Sequence, residues 1–94
     1  MLSKIEELNN DNSINGIIVQ LPLPKYLDST RIVNSISPHK DVDGLSYINA
    51  GKLLNNESCL VSCTPKGIMY LLENEKIDLE GKNVVVIGRS ILVG

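Results

Sequence analysis

The chain has 94 residues, of which 43% are hydrophobic and 21% charged, and its formal net charge is −2 at pH 7. It has no basic stripe and only three aromatic residues, all tyrosines, so it lacks the charge and the stacking surfaces of a nucleic-acid-binding protein. Because no apolar run approaches the roughly 18 residues of a membrane span, we expect no membrane partner and a cytoplasmic protein, or a mitochondrial one if a leader precedes Met1.

A helix and a strand open the chain. Apolar residues at helical spacing predict an amphipathic helix over residues 2–9, which a run of asparagines and an aspartate ends. The apolar run after Gly16 predicts a short buried strand over residues 16–20. Two prolines then remove backbone donors and end it, so Gln20 lies at the carboxyl end of the strand, the edge where open α/β sheets bind ligands.

A second helix follows this proline-anchored loop. It has three candidate N-caps, which are Asp28, Ser29 and Thr30, and Pro38 is expected to end it. The order helix, strand, helix predicts a parallel α/β layer. Residues 37–50 show little periodicity and are interpreted as an ordered functional loop, followed by a short helix over residues 49–54.

The last third of the chain predicts a helix and a strand. Thr64 and Pro65 are typical of a helix start, with the threonine as N-cap, and we expect this helix over residues 65–76. The continuous apolar run 84–87, between a glycine-containing turn and Gly88, predicts a fully buried strand of a parallel sheet.

The two cysteines give little support for a metal site or a disulfide. Cys59 and Cys63 are four residues apart, and the only histidine, His39, lies twenty residues upstream of Cys59, which matches no common zinc spacing. Disulfides are also unusual in a chain without a secretory signal. We therefore expect two reduced cysteines in or near the core and no bound metal.

Five short blocks resemble, in fixed order, those of the bifunctional methylenetetrahydrofolate dehydrogenase/methenyltetrahydrofolate cyclohydrolase family. The blocks are VQLPLP, KDVDG, NAGKL, CTPKG and GRSxxVG, and they begin at Val19, Lys40, Asn49, Cys63 and Gly88. The resemblance covers nearly the whole chain, which looks like the middle third of a longer protein. It implies an α/β fold in which residues 1–64 are the C-terminal part of a parallel-sheet, folate-binding catalytic domain. Residues 65–79 would form a connecting helix, and residues 80–94 would start a Rossmann-type NAD(P)-binding domain.

The same resemblance implies two reactions of folate one-carbon metabolism. The family oxidises 5,10-methylenetetrahydrofolate to the methenyl form with NADP and hydrolyses that product to 10-formyltetrahydrofolate, and its members form homodimers. Its catalytic tyrosine and lysine form a YxxxK motif, which occurs nowhere in these 94 residues. We expect that motif upstream of Met1, and because loss of a general acid/base costs about a hundredfold or more in rate, we expect this chain alone to be inactive. We also expect it to be poorly folded, because a chain this short with only part of the cofactor domain leaves much of its apolar surface uncovered.

Candidate folate-site residues lie in the first two blocks. By resemblance, Gln20 is catalytic and contacts the substrate together with Leu21 and Pro22. Asp41 and Asp43 point the same way in an extended segment, so from spacing alone they could share a metal, shift each other's pKa, or lie in solvent beside Lys40. The resemblance makes Asp43 the pterin-binding carboxylate, since a carboxylate can accept two parallel N–H bonds.

Candidate cofactor residues close the chain. Gly88, Arg89 and Ser90 follow the predicted strand, although their glycine spacing is not GxGxxG. The resemblance implies that they bind NAD(P), and Arg89 favours NADP because a guanidinium pairs well with a ribose phosphate, while NAD stays open.

Two other functions remain open from the sequence. One is a non-catalytic folate-binding or oligomerisation module that keeps Gln20 and Asp43. The other is a different two-domain Rossmann-type dehydrogenase, such as one resembling shikimate dehydrogenase, which would leave KDVDG and CTPKG unexplained.

Overall fold

The structure, a computed structural model, describes all 94 residues and contains four helices. They are α1 (Leu2–Asn10), α2 (Ser29–Asn34), α3 (Tyr47–Leu54) and α4 (Cys63–Asn74). The chain divides into two compact units, Met1–Val61 and Ser62–Gly94, so the first contains α1 to α3 and the second α4. No helix is both long and apolar enough to cross a lipid bilayer.

The core of the first unit is built from the apolar faces of α1 and α2 and the segments beside them. Ile5 of α1 and Ile32 of α2 are buried against Ile17 and Ile36. Six partly buried side chains pack around these four, namely Leu2, Leu8, Ile14, Val19, Leu23 and Leu27. The amphipathic helix predicted at the start of the chain is therefore confirmed, and its buried face is the predicted one.

The second helix begins where the sequence allows and ends earlier than predicted. Asp28 is the N-cap, because its Oδ1 accepts a hydrogen bond of 3.0 Å from the backbone nitrogen of Arg31. The helix ends at Asn34 rather than near Pro38, and the Ser35 hydroxyl donates to the carbonyl of Ile32 at 2.6 Å. A serine hydroxyl that bonds the preceding turn offers the backbone an alternative to further helix.

The strand predicted over residues 16–20 is reduced to a single contact. Ile17 forms one parallel bridge with Asp41, and its backbone nitrogen donates to the carbonyl of Lys40 at 2.7 Å. The bridge is parallel, as the predicted parallel layer requires, but no β-strand forms anywhere in the chain. A strand needs a neighbour that pairs with it over several residues, whereas here a single pair of residues is bridged.

The last two elements also depart from the prediction. Helix α4 begins at Cys63 with Ser62 as N-cap, so Thr64 lies inside the first turn and the prediction of a threonine cap was wrong. Proline is tolerated throughout a first helical turn, whose N–H groups have no intrahelical partner, so Pro65 did not define the start. The buried strand over residues 84–87 is absent, and its side chains are exposed, Ile87 to 98%. The second unit has no other strand to pair with it.

Candidate functional site

The parallel bridge sets two candidate segments side by side in the first unit. Because residues 17 and 41 are paired in a parallel sense, both segments run toward the same end. Two residues beyond the bridge, Val19 and Asp43 line one narrow cavity together with core residues. Gln20 and Asp43 therefore both follow the bridged pair in the direction of the chain, Gln20 after Ile17 and Asp43 after Asp41.

Gln20, Leu21 and Pro22 form the first candidate segment. The Gln20 side chain is exposed, and its Nε2 donates to the backbone carbonyl of Leu21 at 3.2 Å. Leu21 is half-buried, and the peptide bond that joins it to the exposed Pro22 is cis. One carboxamide hydrogen is thus used locally, which leaves the second hydrogen and the acceptor oxygen for a ligand.

Asp43 lies on a tight turn. The backbone nitrogen of Gly44 donates to the carbonyl of Asp41 at 3.1 Å, which closes the turn around residues 42 and 43. Gly44 has φ +63°, a left-handed conformation that glycine adopts without steric cost. Asp43 itself is half-buried, so part of its carboxylate surface is open to a ligand.

Asp41 is the residue whose surroundings the sequence did not reveal. Its side chain is 1% exposed, and its Oδ2 accepts hydrogen bonds from the backbone nitrogen of Ser46 at 2.9 Å and from Asn49 Nδ2 at 3.0 Å. The same Asn49 nitrogen donates to the carbonyl of Pro38 at 2.8 Å. Asp41 is therefore neither solvated nor paired with Lys40.

Lys40 is buried as well and points elsewhere. Its Nζ donates to three backbone carbonyls at the end of α1, those of Leu8, Asn9 and Asp11, each at 2.8 Å. An ammonium group has three hydrogens, so all of its donors are used. No buried side-chain polar atom in the chain lacks a hydrogen-bond partner. The sequence singled out the KDVDG block but not the separate roles of its residues. Its first two residues, Lys40 and Asp41, are buried and form hydrogen bonds within the unit.

The candidate cofactor residues lie in the second unit. Gly88, Arg89 and Ser90 are exposed, and the Ser90 hydroxyl accepts a hydrogen bond of 3.2 Å from the backbone nitrogen of Val93. A guanidinium beside a hydroxyl and a glycine backbone is a donor set that fits a phosphate group. The residues present are thus chemically suited to a phosphorylated cofactor.

The cysteines and the histidine form no metal site. No group of three or more His, Cys, Asp or Glu side chains is arranged to hold a metal ion. Cys59 is half-buried and, with His39 and Lys52, lines an open cavity of about 330 Å³. Cys63 was expected in or near the core, but it starts α4 at the surface and is exposed, and no disulfide joins it to Cys59.

Two family models match the chain in succession. The one described as "Tetrahydrofolate dehydrogenase/cyclohydrolase, catalytic domain" matches residues 1–43, and the one described as "Tetrahydrofolate dehydrogenase/cyclohydrolase, NAD(P)-binding domain" matches residues 62–94. Relatives named bifunctional protein FolD align over all 94 residues, at 56% identity in Clostridium novyi and 54% in Staphylococcus aureus. The chain spans 34% and 33% of those proteins, about a third of their length.

Solved structures give the same result. The bifunctional FolD enzyme of Campylobacter jejuni matches 99% of this chain, with a TM-score of 0.96 and 49% identity, over 33% of its own length. The FolD of Trypanosoma brucei, solved in complex with NADP cofactor and inhibitor, matches 99% of the chain with a TM-score of 0.92 and 35% identity, over 32% of its length. Because two domain models of one family match in order and cover most of the sequence, the chain belongs to the tetrahydrofolate dehydrogenase/cyclohydrolase family.

Proposed function

We propose that this chain is part of a bifunctional enzyme of folate one-carbon metabolism. The enzyme oxidises 5,10-methylenetetrahydrofolate to 5,10-methenyltetrahydrofolate with NADP and hydrolyses that product to 10-formyltetrahydrofolate. The observation that carries this proposal is the succession of a catalytic-domain match and an NAD(P)-binding-domain match in one chain. The NADP complex of the Trypanosoma brucei relative supports the choice of cofactor.

The proposed folate site uses the carboxyl edge of the first unit. Asp43 accepts N–H bonds from the pterin, and its half-buried position lets it contact a ligand while part of its hydration is already removed. Gln20 offers its carboxamide to the reacting end of the folate and acts in catalysis, with Leu21 and Pro22 as an apolar border. These four residues belong to two segments that the bridge at Ile17 aligns.

The proposed cofactor site uses Gly88, Arg89 and Ser90. Arg89 binds the ribose phosphate that distinguishes NADP from NAD, and the glycine backbone and the serine hydroxyl contact the remaining phosphates. When bound, NADP supplies the hydride acceptor for the oxidation. The exposure of all three residues is consistent with a site that a ligand covers.

The proposed domain division follows from these sites. Residues 1–64 belong to the folate-binding domain, residues 65–79, which contain most of α4, connect the domains, and residues 80–94 begin a Rossmann-type domain whose first strand is 84–87. In the whole enzyme this apolar run lies in a parallel sheet, and the enzyme is a homodimer. The 94 residues alone have no activity, because the YxxxK motif is not among them.

A chimeric enzyme tests the proposal. In it, these 94 residues replace the matching segment of the Staphylococcus aureus relative, to which they are 54% identical. The chimera is expected to form methenyltetrahydrofolate with NADP and to hydrolyse it, whereas the 94-residue chain is expected to do neither. Gln20→Ala should abolish most of both activities, and Asp43→Ala should raise KM for the folate about 10- to 100-fold, the loss expected for hydrogen bonds to a charged group.

Matched surface variants control these effects. Asn12→Ala removes an exposed carboxamide and Asp78→Ala an exposed carboxylate, and neither should change the kinetics of the chimera. Arg89→Ala should raise KM for NADP much more than KM for NAD. An active chimera whose folate KM is the same with and without the Asp43 carboxylate would contradict the proposed site.

A non-catalytic folate-binding module remains the second candidate. It is favoured by one observation, namely that the buried residues of the chain all lie in the first unit and none in the second. Titration of the ¹⁵N-labelled 94-residue chain with tetrahydrofolate separates the two candidates. Chemical-shift changes at Gln20 and Asp43 together with an inactive chimera would favour the binding module over the enzyme.

A further inference from the structure

We propose that Asp41 is a positioning residue that sets the orientation of Asp43, with Asn49 holding the Asp41 carboxylate in place. This inference rests on the proposed function of Asp43 as the folate-binding carboxylate. Its basis is the arrangement of hydrogen bonds around residues 41–46. The backbone and the side chain of Asp41 both accept hydrogen bonds from the loop that carries Asp43.

The backbone of Asp41 holds the start of the turn. Its carbonyl accepts the Gly44 nitrogen at 3.1 Å, so residues 41–44 form a closed turn with Asp43 at its third position. The parallel bridge pairs Asp41 with Ile17, whose backbone nitrogen donates to the carbonyl of the preceding residue, Lys40, at 2.7 Å. The start of the turn is therefore tied to the core segment that leads to Gln20.

The side chain of Asp41 holds the end of the loop. Its Oδ2 accepts the Ser46 nitrogen at 2.9 Å, and Ser46 is the N-cap of α3. The loop that carries Asp43 is thus anchored at residues 41, 44 and 46 by a single residue. Only three residues separate Asp43 from the start of α3, which leaves the loop little freedom to move on its own.

Asn49 holds the Asp41 carboxylate that anchors the loop. Its Nδ2 has two hydrogens, of which one goes to Asp41 Oδ2 at 3.0 Å and the other to the carbonyl of Pro38 at 2.8 Å. Asp41 and Asn49 are 1% and 2% exposed, so neither contacts a ligand directly. A misplacement of about 1 Å caused by a mutation away from the reacting atoms can cost on the order of a hundredfold in rate, so a residue that positions Asp43 can affect the enzyme without touching the folate.

The test uses the chimeric enzyme described above and a double-mutant cycle between Asp41 and Asp43. Asp41→Ala should raise KM for the folate at least tenfold and leave KM for NADP within twofold. Asp41→Asn keeps an acceptor oxygen for Ser46 and Asn49 and should recover most of the folate affinity. In the Asp43→Ala background, Asp41→Ala should add no further rise in folate KM, because it acts through Asp43.

Asp28→Ala is the matched control. It also removes a carboxylate of the first unit that accepts a backbone N–H, but this carboxylate caps α2 and has no bond to the turn. It should lower the melting temperature without changing folate KM, as any purely structural variant would. If Asp41→Ala fails to fold, Asn49→Ala takes its place and should raise folate KM about threefold while the Ser46 bond persists.

Different results separate the two hypotheses. An Asp43→Ala chimera with unchanged folate KM would overturn the proposed folate site and with it this inference. If Asp43→Ala raises folate KM as expected, either of two further results would overturn the positioning role of Asp41 alone. One is that Asp41→Ala, or Asn49→Ala in its place, leaves folate KM unchanged. The other is that Asp41→Ala raises folate KM equally with and without Asp43.

Discussion

The Lys40 side chain reaches back 32 residues to Leu8 and donates a hydrogen bond of 2.8 Å to its backbone carbonyl. The same nitrogen binds the carbonyls of Asn9 and Asp11, and the lysine is only 5% exposed. These carbonyls belong to the last turn of α1 and the residue after it, where no further helix supplies donors. Lys40 therefore caps the C-terminus of α1 and connects this helix to the segment that carries the candidate folate site.

Replacement of Lys40 by methionine should destabilise the first unit strongly. The change keeps the length of the apolar stem but leaves the partly buried carbonyls of Leu8 and Asn9 without a donor, at a cost of about 2 kcal/mol or more. The Asp11 carbonyl keeps its hydrogen bond of 3.1 Å from the Ile14 nitrogen. Chemical denaturation followed by circular dichroism measures the loss. Lys4→Met is the control, because Lys4 forms an exposed ion pair with Glu7 at 2.8 Å and should contribute less than about 1 kcal/mol. Equal losses for the two variants would contradict the capping role of Lys40.

Gly16 should not tolerate a side chain. A Cβ atom there would lie 2.5 Å from Cγ1 of Val42, well inside van der Waals contact. Gly16→Ala is expected to destabilise the unit by about 1–3 kcal/mol, as overpacking does, and the added substitution Val42→Ala should recover part of the loss. Gly51→Ala in α3, where no atom lies within 4 Å, should instead be neutral or stabilising. Thermal melts of the three variants and the unchanged chain test this prediction.

Asp11 should titrate below its ordinary range. The Ser13 hydroxyl and the Ser13 backbone nitrogen both donate to its Oδ1, at 2.6 and 2.8 Å, and with a weaker contribution from Lys40 they lower the pKa of the carboxyl from 3.8. A lowered pKa in the folded state means that the stabilisation is complete above pH 3.8 and is lost as the pH falls through the folded-state pKa. Ser13→Ala should move the pKa back toward 3.8 in an NMR titration, whereas Ser3→Ala should not.

The apolar run 84–87 should make the isolated chain self-associate. It is uncharged, β-branched and exposed, with backbone groups that no strand pairs, which is typical of an aggregation-prone edge. Val85→Lys is expected to keep the chain monomeric at several-fold higher concentration, as measured by light scattering. Val93→Lys adds the same charge outside the run and should have little effect. If the two variants associate equally, the run is not the contact surface.

Local signals predicted the local structure of the first unit well. The spacing of Ile5 and its neighbours located α1, and capping side chains narrowed the start of α2 to Asp28, Ser29 or Thr30, of which Asp28 is the N-cap, because both signals are local in the sequence. The same reasoning missed the start of α4, where Ser62, Thr64 and Pro65 offered competing signals within four residues. For the helices, existence was thus easier to predict than exact bounds.

Long-range contacts were beyond the reach of sequence patterns. Nothing in the KDVDG block distinguishes the buried Asp41 from the half-buried Asp43, since the difference comes from Ser46 and Asn49 several residues later. The strand over residues 84–87 could not be judged from its own composition either, because burial of a strand depends on neighbours elsewhere in a sheet. The candidate site residues themselves stay predictions until the chimera is measured.

Lys40 and Asp41 are adjacent residues of opposite charge, and each faces the helix end of the opposite partial charge. The cation meets the carbonyl end of α1, while the carboxylate meets the amide end of α3, so both helix dipoles are opposed by a full charge of the right sign. Exchange of the two residues would preserve composition and net charge but reverse both interactions. The order of these two neighbouring residues thus connects α1 and α3, whose facing ends lie 37 residues apart in the chain.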